Sequence, residues 1–234
     1  MSTLNKHTYD YPRPAVTVDC VIFGFAENQL KILLTKRSIE PYRGEWALPG
    51  GFIEMNETAD DCARRKLKEE AGLEGIYMEQ LYTFSAVDRD PRYRVISIAY
   101  YALVKSTDCV LHAGSDIADV QWFALENAPP LAFDHKEITA AAVERLRGKI
   151  SYQPLGFELL PEKFTLPDLL RIYETILQRD LDRWNFRKKI LKTGLLIDHS
   201  HTQENRRQRD AKIYSFNKEK YEELTKSGFY FDIY

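Results

Sequence analysis

The sequence predicts an α/β protein of two domains, with a mixed sheet and helices first and a small helical domain with a hairpin second. Apolar, β-branched segments bounded by polar turns fill much of the first part, and apolar residues at helix spacing occupy residues 135–147 and 166–177. A chain of 234 residues is long for one small domain. The expected order is a flexible lead (1–14), a first domain (15–148), a linker (149–161) rich in glycine and proline, and a second domain (162–234).

Composition places the chain among soluble globular proteins. The hydrophobic content of 44% and the charged content of 29% are ordinary values. No apolar run approaches the length of a membrane span, and the first residues have no apolar core of the kind that a secretory signal needs. Cys20, Cys62 and Cys109 are odd in number and widely spaced, which argues against a disulfide framework and a zinc site. We therefore expect a cytoplasmic protein without a membrane partner.

The strands of the first domain follow from runs of β-branched and aromatic residues. Ala15–Phe25 is rich in Val, Ile and Phe, and Leu30–Arg37 follows across a short polar turn, which predicts a hairpin. The apolar residues of His135–Arg147 recur at helix spacing, and Asp134 stands where an N-cap belongs. A ligand-binding role for Asp134 or His135 stays open. Further strands are expected at Tyr82–Ala86, Arg94–Val104 and Asp119–Ala124.

The segment Gly51–Leu73 carries the most specific pattern in the chain. It resembles the Nudix box, and the matching positions are Gly51, Glu57, Arg65, Leu67, Glu69, Glu70, Gly72 and Leu73. The preceding residues 46–51 read as a strand that runs into a glycine turn. Thr58 and Asp61 form a capping box that opens a helix. The alternative is an ordinary amphipathic helix that begins at a glycine-rich turn.

The resemblance implies metal-assisted hydrolysis of nucleoside diphosphates linked to another group. Positions 66, 69 and 70 are neighbours on one helix face, where three carboxylates would bind Mg²⁺ through oxygen and polarise a diphosphate. The candidate catalytic residues are Glu57, Arg65, Glu69 and Glu70, and the candidate metal ligands are Glu69 and Glu70.

Lys66 departs from this pattern, since the box has glutamate at that position. A protonated ammonium donates hydrogen bonds and cannot ligate Mg²⁺. We expect Lys66 to pair with Glu70, four residues on, and efficient hydrolysis to be lost. The opposing reading is that Glu57, Glu69 and Glu70 still bind metal weakly.

The second domain has the element order of a winged helix-turn-helix. Thr165, Pro167 and Asp168 are the residue types that open a helix, and an apolar stripe follows them. Asp182 caps a second helix, which Gly194 ends. Two short strands, Leu195–Asp198 and Lys212–Phe216, flank a polar basic loop.

Positive charge is concentrated in this second domain. The whole chain has a net charge of −2, yet residues 181–212 hold nine Lys and Arg against four Asp and Glu. Such a segment suits the phosphates of double-stranded DNA, with the second helix in the major groove and the loop reaching the backbone or an adjacent groove. The alternatives are a solvated charged face and a helical cap on the first domain. The candidate DNA contacts are Arg183, Arg187, Lys188, Lys189, Lys192, Arg206, Arg207 and Arg209.

Residues 15–216 as a whole resemble the Nudix-related transcriptional regulators. The segments FELLPEKFTLPDLLRIYETIL and LDRWNFRKKIL are similar to the C-terminal half of that family. The resemblance implies a Nudix α/β/α sandwich that senses a small effector, and a winged helix that binds an operator. It also includes an Arg-Asp-Pro segment, here Arg89–Pro91 followed by Arg92, although an ordinary proline turn would read the same way. Arg89, Arg92, Glu70 and Trp46 are the candidate effector contacts.

Two functions follow from this resemblance. The first is a homodimeric regulator that needs no cofactor and binds a palindromic operator, with ADP-ribose or a sugar such as L-arabinose as effector. A sugar is favoured, since a neutral sugar needs no metal-bound diphosphate. The second is a Mg²⁺-dependent Nudix hydrolase of ADP-ribose or a similar compound. The sequence decides neither the operator nor the sign of regulation.

Overall fold

The computed structural model describes residues 10–106, 111, 113, 116–199, 212–226 and 231. In the first part, the described residues form seven strands and two α-helices: β1 (Ala15–Ala26), β2 (Gln29–Arg37), β3 (Trp46–Ala47), β4 (Gly50–Phe52), α1 (Ala59–Ala71), β5 (Glu79–Phe84), β6 (Val95–Leu103), β7 (Ile117–Ala124) and α2 (His135–Tyr152). The second part holds β8 (Phe164–Thr165), α3 (Leu166–Leu177), α4 (Arg183–Lys192), β9 (Leu196–Asp198), β10 (Ile213–Phe216) and α5 (Lys218–Lys226).

The first seven strands form one mixed sheet. Its order is β3-β2-β1-β6-β5, with β4 also paired to β1 and β7 to β2. The central strands β1 and β6 run parallel, whereas β1 and β2 form the expected antiparallel hairpin. The predicted mixed sheet is therefore confirmed.

Helices cover both faces of this sheet because the side chains of β1 alternate between them. Cys20 and Ile22 belong to the apolar cluster that also contains Leu67 of α1. Val21 and Phe23 point the other way, into the cluster that contains residues of α2. The result is the expected α/β/α sandwich.

Helix α2 begins at His135 as predicted, but it ends later than predicted and its N-cap residue makes no capping bond. It continues to Tyr152 rather than ending at Arg147, and Ile150 extends its apolar face and is fully buried. Asp134 occupies the N-cap position but makes no side-chain capping bond. The prediction of a simple cap was therefore wrong, and the carboxylate of Asp134 has another partner, described below.

The second part is a winged helix domain, as predicted. Thr165 and Asp168 form a complete capping box at α3, and the side chain of Asp182 accepts a hydrogen bond from Asn185 N at the start of α4. Three short strands pair in the order β8-β10-β9. Strand β8 and helix α5 were not predicted, since β8 is only two residues long and has no periodicity to read.

The two parts share one apolar core. Leu30 and Ile32 of β2 lie in the same buried cluster as Leu169 of α3. Polar contacts cross the junction as well: Arg171 Nη1 donates to Asn28 Oδ1 at 2.9 Å, and Arg147 Nε donates to the Ile176 carbonyl at 3.0 Å. Within the described ranges, no helix is long and apolar enough to cross a membrane.

Candidate functional site

A cleft of about 310 Å³ opens between the glycine turn, helix α1 and the start of α2. Residues of β1, the end of β2, the Nudix box, the segment after β5 and the start of β7 meet there. The charged and aromatic residues that line the cleft are Asp19, Arg37, Phe52, Glu54, Arg65, Lys66, Glu70, Arg89, Asp90, Arg92, Asp116, Phe133 and His135.

A buried ion-pair network forms the floor of this cleft. Arg89 donates to both carboxylate oxygens of Asp134, from Nε at 2.8 Å and from Nη2 at 2.6 Å. The same Nη2 donates to Asp19 Oδ2 at 3.1 Å. Two of the three guanidinium nitrogens of Arg89 thus donate to carboxylates, and its side chain is only 3% exposed. Arg89, predicted to contact the effector, therefore lies in the cleft, where it holds Asp19 and Asp134 in place.

Asp19 connects the network to the strands and to α2. Ser97 Oγ donates to Asp19 Oδ2 at 2.5 Å, and His135 Nε2 lies 3.3 Å from Asp19 Oδ1. The other ring nitrogen of His135, Nδ1, accepts a hydrogen bond from Leu48 N at 2.9 Å. Burial by itself would raise the pKa of Asp19, but His135, Arg89 and Ser97 together lower this pKa to about 2.

The glycine turn lets β4 approach β1 closely at this point. A Cβ at Gly50 would lie 2.2 Å from the Val18 carbonyl oxygen and 2.8 Å from Asp19 Oδ1. No side chain fits there, and the backbone N–H of Gly50 is free to donate to Glu70 Oε2 at 3.2 Å. The first glycine of the turn therefore serves both the sheet and the cleft.

Two guanidinium groups lie close to one aromatic ring in the lining of the cleft. Arg37 lies 5.0 Å and Arg92 lies 5.8 Å from the ring centre of Phe133. Arg92 pairs with Asp90 at 2.7 Å, whereas Arg37 donates to the carbonyl oxygens of Ile39 and Pro41. Burial lowers the pKa of Arg37, and the charge of Arg92 lowers it further. This positive charge suits an anionic group.

Arg37 was missed by the sequence analysis, although Arg92 was predicted. Arg37 is the last residue of β2. The one feature of the sequence that could have identified it is its position as a basic residue at the end of a predicted strand. Its place in the cleft depends on the path of the chain beyond β2, where its Nε donates to the Pro41 carbonyl at 2.7 Å.

Arg65 organises the acidic residues of the Nudix box. Its Nη2 donates to Glu57 Oε1 at 2.5 Å, its Nε donates to Glu57 Oε2 at 2.9 Å, and its Nη1 lies 3.2 Å from Glu69 Oε2. The hydrogen bonds from Arg65 are the main reason that the pKa of Glu57 falls to about 2. These predicted residues are therefore adjacent, with a guanidinium between the carboxylates.

Lys66 pairs with Glu69 rather than with Glu70, so that part of the prediction was wrong. Lys66 Nζ donates to Glu69 Oε2 at 3.1 Å, one helical turn away. Glu70 turns instead toward the glycine turn and accepts the Gly50 N–H. Burial raises the pKa of Glu70 to about 7, although the Gly50 N–H and Lys66 act in the opposite direction.

The donor set does not fit a resident Mg²⁺ ion. Glu69 is neutralised by Lys66 and Arg65, and Glu57 is held by Arg65. In the ranges that the structure describes, no group of three His, Cys, Asp or Glu residues could hold a metal ion. The predicted ligands Glu69 and Glu70 instead accept hydrogen bonds from Lys66 Nζ and from the Gly50 N–H, respectively.

Trp46 does not line the cleft. Its ring packs edge-on against Phe123 at 4.7 Å, with Lys36 Nζ 5.8 Å above it. The cause is the pairing of β3 with β2, which directs Trp46 toward the junction with α2 and α3. The structure thus assigns core packing to a residue predicted to touch the effector.

Helix α4 presents a broad polar face to solvent. Only Phe186 and Ile190 are buried on it, whereas Trp184 is 65% and Leu191 is 38% exposed. The apolar side chains of Trp184 and Leu191 therefore face solvent and not the core. Arg183, Arg187, Lys188 and Lys192 are exposed, and Lys189 is half-buried. The predicted contacts Arg206, Arg207 and Arg209 lie outside the described residues.

Comparisons with known proteins agree with this two-part arrangement. The NUDIX domain family matches residues 13–142, and the NrtR DNA-binding winged helix domain matches residues 156–216. The chain is 35% identical over 220 residues to the ADPR responsive transcriptional repressor NtrR of Acinetobacter baylyi, which covers 91% of this chain and 86% of the relative. It is 44% identical over 128 residues to the ADP-ribose pyrophosphatase of Methanocaldococcus jannaschii, covering 55% and 72%.

Solved structures extend the likeness over nearly the full length. Shewanella oneidensis NrtR complexed with a 27mer DNA has a TM-score of 0.77 at 34% identity, covering 92% of this chain and 97% of that one. The NUDIX domain of the same protein complexed with ADP ribose has a TM-score of 0.57 at 35% identity, covering 61% and 94%. This chain therefore belongs to the NUDIX family and, within it, to the Nudix-related transcriptional regulators that carry an NrtR winged helix domain.

Proposed function

We propose that this protein is an ADP-ribose-responsive transcriptional repressor of the cytoplasm. The cleft of the first domain binds ADP-ribose, and the winged helix domain binds operator DNA. One observation carries the proposal: a cleft rich in fixed cations and an exposed basic helix lie on one chain that is similar over most of its length to a repressor named for ADPR. Arg92 and Arg37 at the cleft suit the diphosphate of such a nucleotide.

L-arabinose and other free sugars lose their place as the favoured effector. The Acinetobacter baylyi repressor, the Methanocaldococcus jannaschii pyrophosphatase and the solved NUDIX domain of Shewanella oneidensis NrtR all carry ADPR or ADP-ribose in their names. The guanidinium groups of Arg37 and Arg92, which lie together at Phe133, also favour an anionic ligand over a neutral one. A sugar was favoured because a diphosphate would need a bound metal, but protein cations can balance the charge of a diphosphate without one.

Helix α2 gives the two sites a physical connection. Its first residues, Asp134 and His135, hold the floor of the cleft, and Arg147 in its later turns donates to the Ile176 carbonyl of α3. The helix has 18 residues and spans ~27 Å. Binding in the cleft that displaces the start of α2 would displace α3, which packs against α4. Such coupling is the requirement for an effector to change operator affinity.

Recognition of DNA would combine phosphate neutralisation by the cations of α4 with insertion of this helix into the major groove. Because closed two-fold dimers match palindromic operators, we propose that the protein binds its operator as a homodimer. Trp184 and Asn185 on the exposed face add groups that reach base edges or methyl groups.

The deciding experiment measures binding of the purified protein to DNA from its own upstream region by fluorescence anisotropy at two salt concentrations. ADP-ribose should release the DNA, and L-arabinose serves as the matched negative ligand. Salt-sensitive binding that neither ligand alters would remove ADP-ribose as the effector. Binding no stronger than to unrelated DNA would remove the operator function itself.

The alternative function is a Mg²⁺-dependent hydrolase, favoured by the retained Glu57, Arg65, Glu69 and Glu70 and by the similarity to an ADP-ribose pyrophosphatase. Release of AMP from ADP-ribose, followed with and without Mg²⁺, tests it directly. Turnover by the native chain that stops on adding EDTA would support this alternative.

A further inference from the structure

We propose that the ammonium of Lys66 takes the place of a divalent cation, so that this cleft binds the effector's diphosphate through protein cations and without metal. The proposal rests on the proposed function for the identity of the effector, ADP-ribose. It goes beyond that function by assigning the means of binding to one residue.

The position of Lys66 supports a direct role in the cleft. Its side chain is 21% exposed and lines the cleft next to Gly50 and Gly51. The stem crosses the space that a side chain at position 51 would fill, since a Cβ there would lie 2.6 Å from Lys66 Cε and 3.4 Å from Nζ. The backbone of the glycine turn therefore holds the ammonium at the boundary between α1 and the cleft.

The charges around Lys66 disfavour a metal ion at the same place. Glu69 already lies 3.1 Å from Lys66 Nζ and 3.2 Å from Arg65 Nη1. A divalent ion would have to displace both cations from this carboxylate and remain close to a fixed ammonium. Like charges in close proximity repel strongly where water is partly excluded, so the ammonium excludes the ion.

Other cations complete a metal-free anion site. Arg37 donates to two carbonyl oxygens and forms no ion pair within the part of the chain that the structure describes. It carries its charge beside that of Arg92, which already has Asp90 as partner. A diphosphate between Lys66 and Arg37 would relieve this crowding, because arginine and lysine both bind phosphate oxygens through charged hydrogen bonds.

The first test needs no effector. Mn²⁺ is titrated into the full-length wild-type chain, Lys66→Glu and Lys66→Gln, and the free ion is followed by electron paramagnetic resonance. The expected result is no binding by the wild type or Lys66→Gln at millimolar Mn²⁺, and one bound ion in Lys66→Glu, since only that variant has a third carboxylate. Specific Mn²⁺ binding by the wild type would overturn the proposal.

The second test measures ADP-ribose affinity by calorimetry in EDTA and in MgCl₂. The wild type should bind equally in both, and Lys66→Arg, which keeps the charge, should stay close to it. Lys66→Gln should bind about tenfold more weakly in both buffers, a change that corresponds to about 1.4 kcal/mol. Lys66→Glu should bind weakly in EDTA and recover in MgCl₂. A wild type that needs Mg²⁺, or a Lys66→Gln affinity equal to that of the wild type, contradicts the proposal.

The two tests separate this proposal from the proposed function. If the wild type binds operator DNA but no ADP-ribose in either buffer, ADP-ribose is excluded as the effector. The inference that Lys66 binds its diphosphate is then excluded as well. The Mn²⁺ titration still decides whether Lys66 excludes a metal. If Lys66→Glu does not fold, as judged by circular dichroism, the loss of affinity in Lys66→Gln and its absence in Lys66→Arg decide the role of the ammonium.

Discussion

The pKa values of two carboxyl groups of the cleft, Asp19 and Glu70, shift in opposite directions, although burial raises both. Asp19 has His135, Arg89 and Ser97 as partners, and its pKa falls to about 2. Among the described residues, Glu70 accepts a hydrogen bond from the Gly50 N–H alone, and burial raises its pKa to about 7. Asp19 therefore contributes stability above its ordinary pKa of 3.8 and loses it as pH falls toward about 2. Glu70 contributes stability at low pH and loses it as pH rises through about 7.

We predict that Glu70→Gln becomes increasingly stabilising between about pH 5 and about pH 8. In this range the carboxyl is ionised in the unfolded chain, whereas the raised pKa delays its ionisation in the folded protein. Glutamine keeps an acceptor for the Gly50 N–H and never ionises. The gain relative to the wild type should grow by roughly 3 kcal/mol, the cost of ionising the buried carboxyl. Urea denaturation at both pH values measures it. Glu69→Gln is the control and should show no such gain, since cations lower the pKa of Glu69 against the effect of burial.

Arg89 should matter more for stability than its charge alone indicates. Arg89→Met leaves Asp19 and Asp134 without their shared cation, and unpaired buried charges cost about 3–5 kcal/mol. Arg64→Met is the matched control, because Arg64 pairs with Asp61 at the surface, where an ion pair contributes less than about 1 kcal/mol. Equal losses of unfolding free energy in the two variants at pH 7 would disprove the structural role of Arg89.

At the scale of elements, helix α2 connects the two proposed sites. Its N-terminal end is fixed by the Arg89 and Asp19 network, and Leu146 and Ile150 lie in the core shared with α3. A continuous helix is stiff enough to carry a displacement over its length. The predicted end at Arg147 would have separated the two domains at this point, and the observed continuation connects them.

We predict that Arg147→Ala weakens the coupling between effector and operator while leaving each site able to bind. It removes the hydrogen bond from α2 to the Ile176 carbonyl. The factor by which ADP-ribose lowers DNA affinity should shrink about fivefold. Arg145→Ala is the control on the same helix, since Arg145 donates to the Leu81 carbonyl of β5 and not to α3. An unchanged coupling factor in Arg147→Ala would exclude this route.

Helix α4 should contribute to DNA binding through its exposed cations. Arg187→Ala should lower operator affinity, and the slope of log affinity against log salt should become shallower by about one, because one phosphate contact is lost. Lys68→Ala, which removes an exposed lysine of α1 that pairs with Glu74, should change neither quantity. If the two variants bind DNA equally well, Arg187 does not contact phosphate.

At the scale of the whole molecule, the two parts behave as one packed body in their core. The same apolar cluster contains Phe23 of β1, Leu146 of α2, Tyr173 of α3 and Phe186 of α4. Tyr173 is fully buried and packs edge-on against Phe186 at 5.1 Å. Separating the parts would therefore expose apolar surface from both.

We expect the chain to unfold in a single cooperative transition. Calorimetric and van't Hoff enthalpies should agree, and circular dichroism should follow the same curve as tryptophan fluorescence. Trp46 and Trp122 report on the sheet, and Trp184 reports on α4. Two resolved transitions would show that the shared core is too weak to couple the unfolding of the two parts.

Local chemistry made much of the fold predictable. Thr58, Thr165 and Asp182 cap their helices as expected, because a capping bond depends only on residues within one turn. The strand pattern of β1 was also readable, since alternate residues of a strand face opposite layers. The order of elements in the second part was sufficient to predict a winged helix fold.

The sequence by itself determined the fold class, the family resemblance, the helix caps and the register of the Nudix box, all of which depend on neighbours in the chain. Tertiary structure decided which charges meet: Asp134 holds Arg89 instead of capping α2, and Lys66 pairs with Glu69. Arg37 reaches the cleft only through the path of the chain beyond β2. The physical reason is that a charged side chain takes the partner that lies closest in space, and only the packed sheet and helices set those distances.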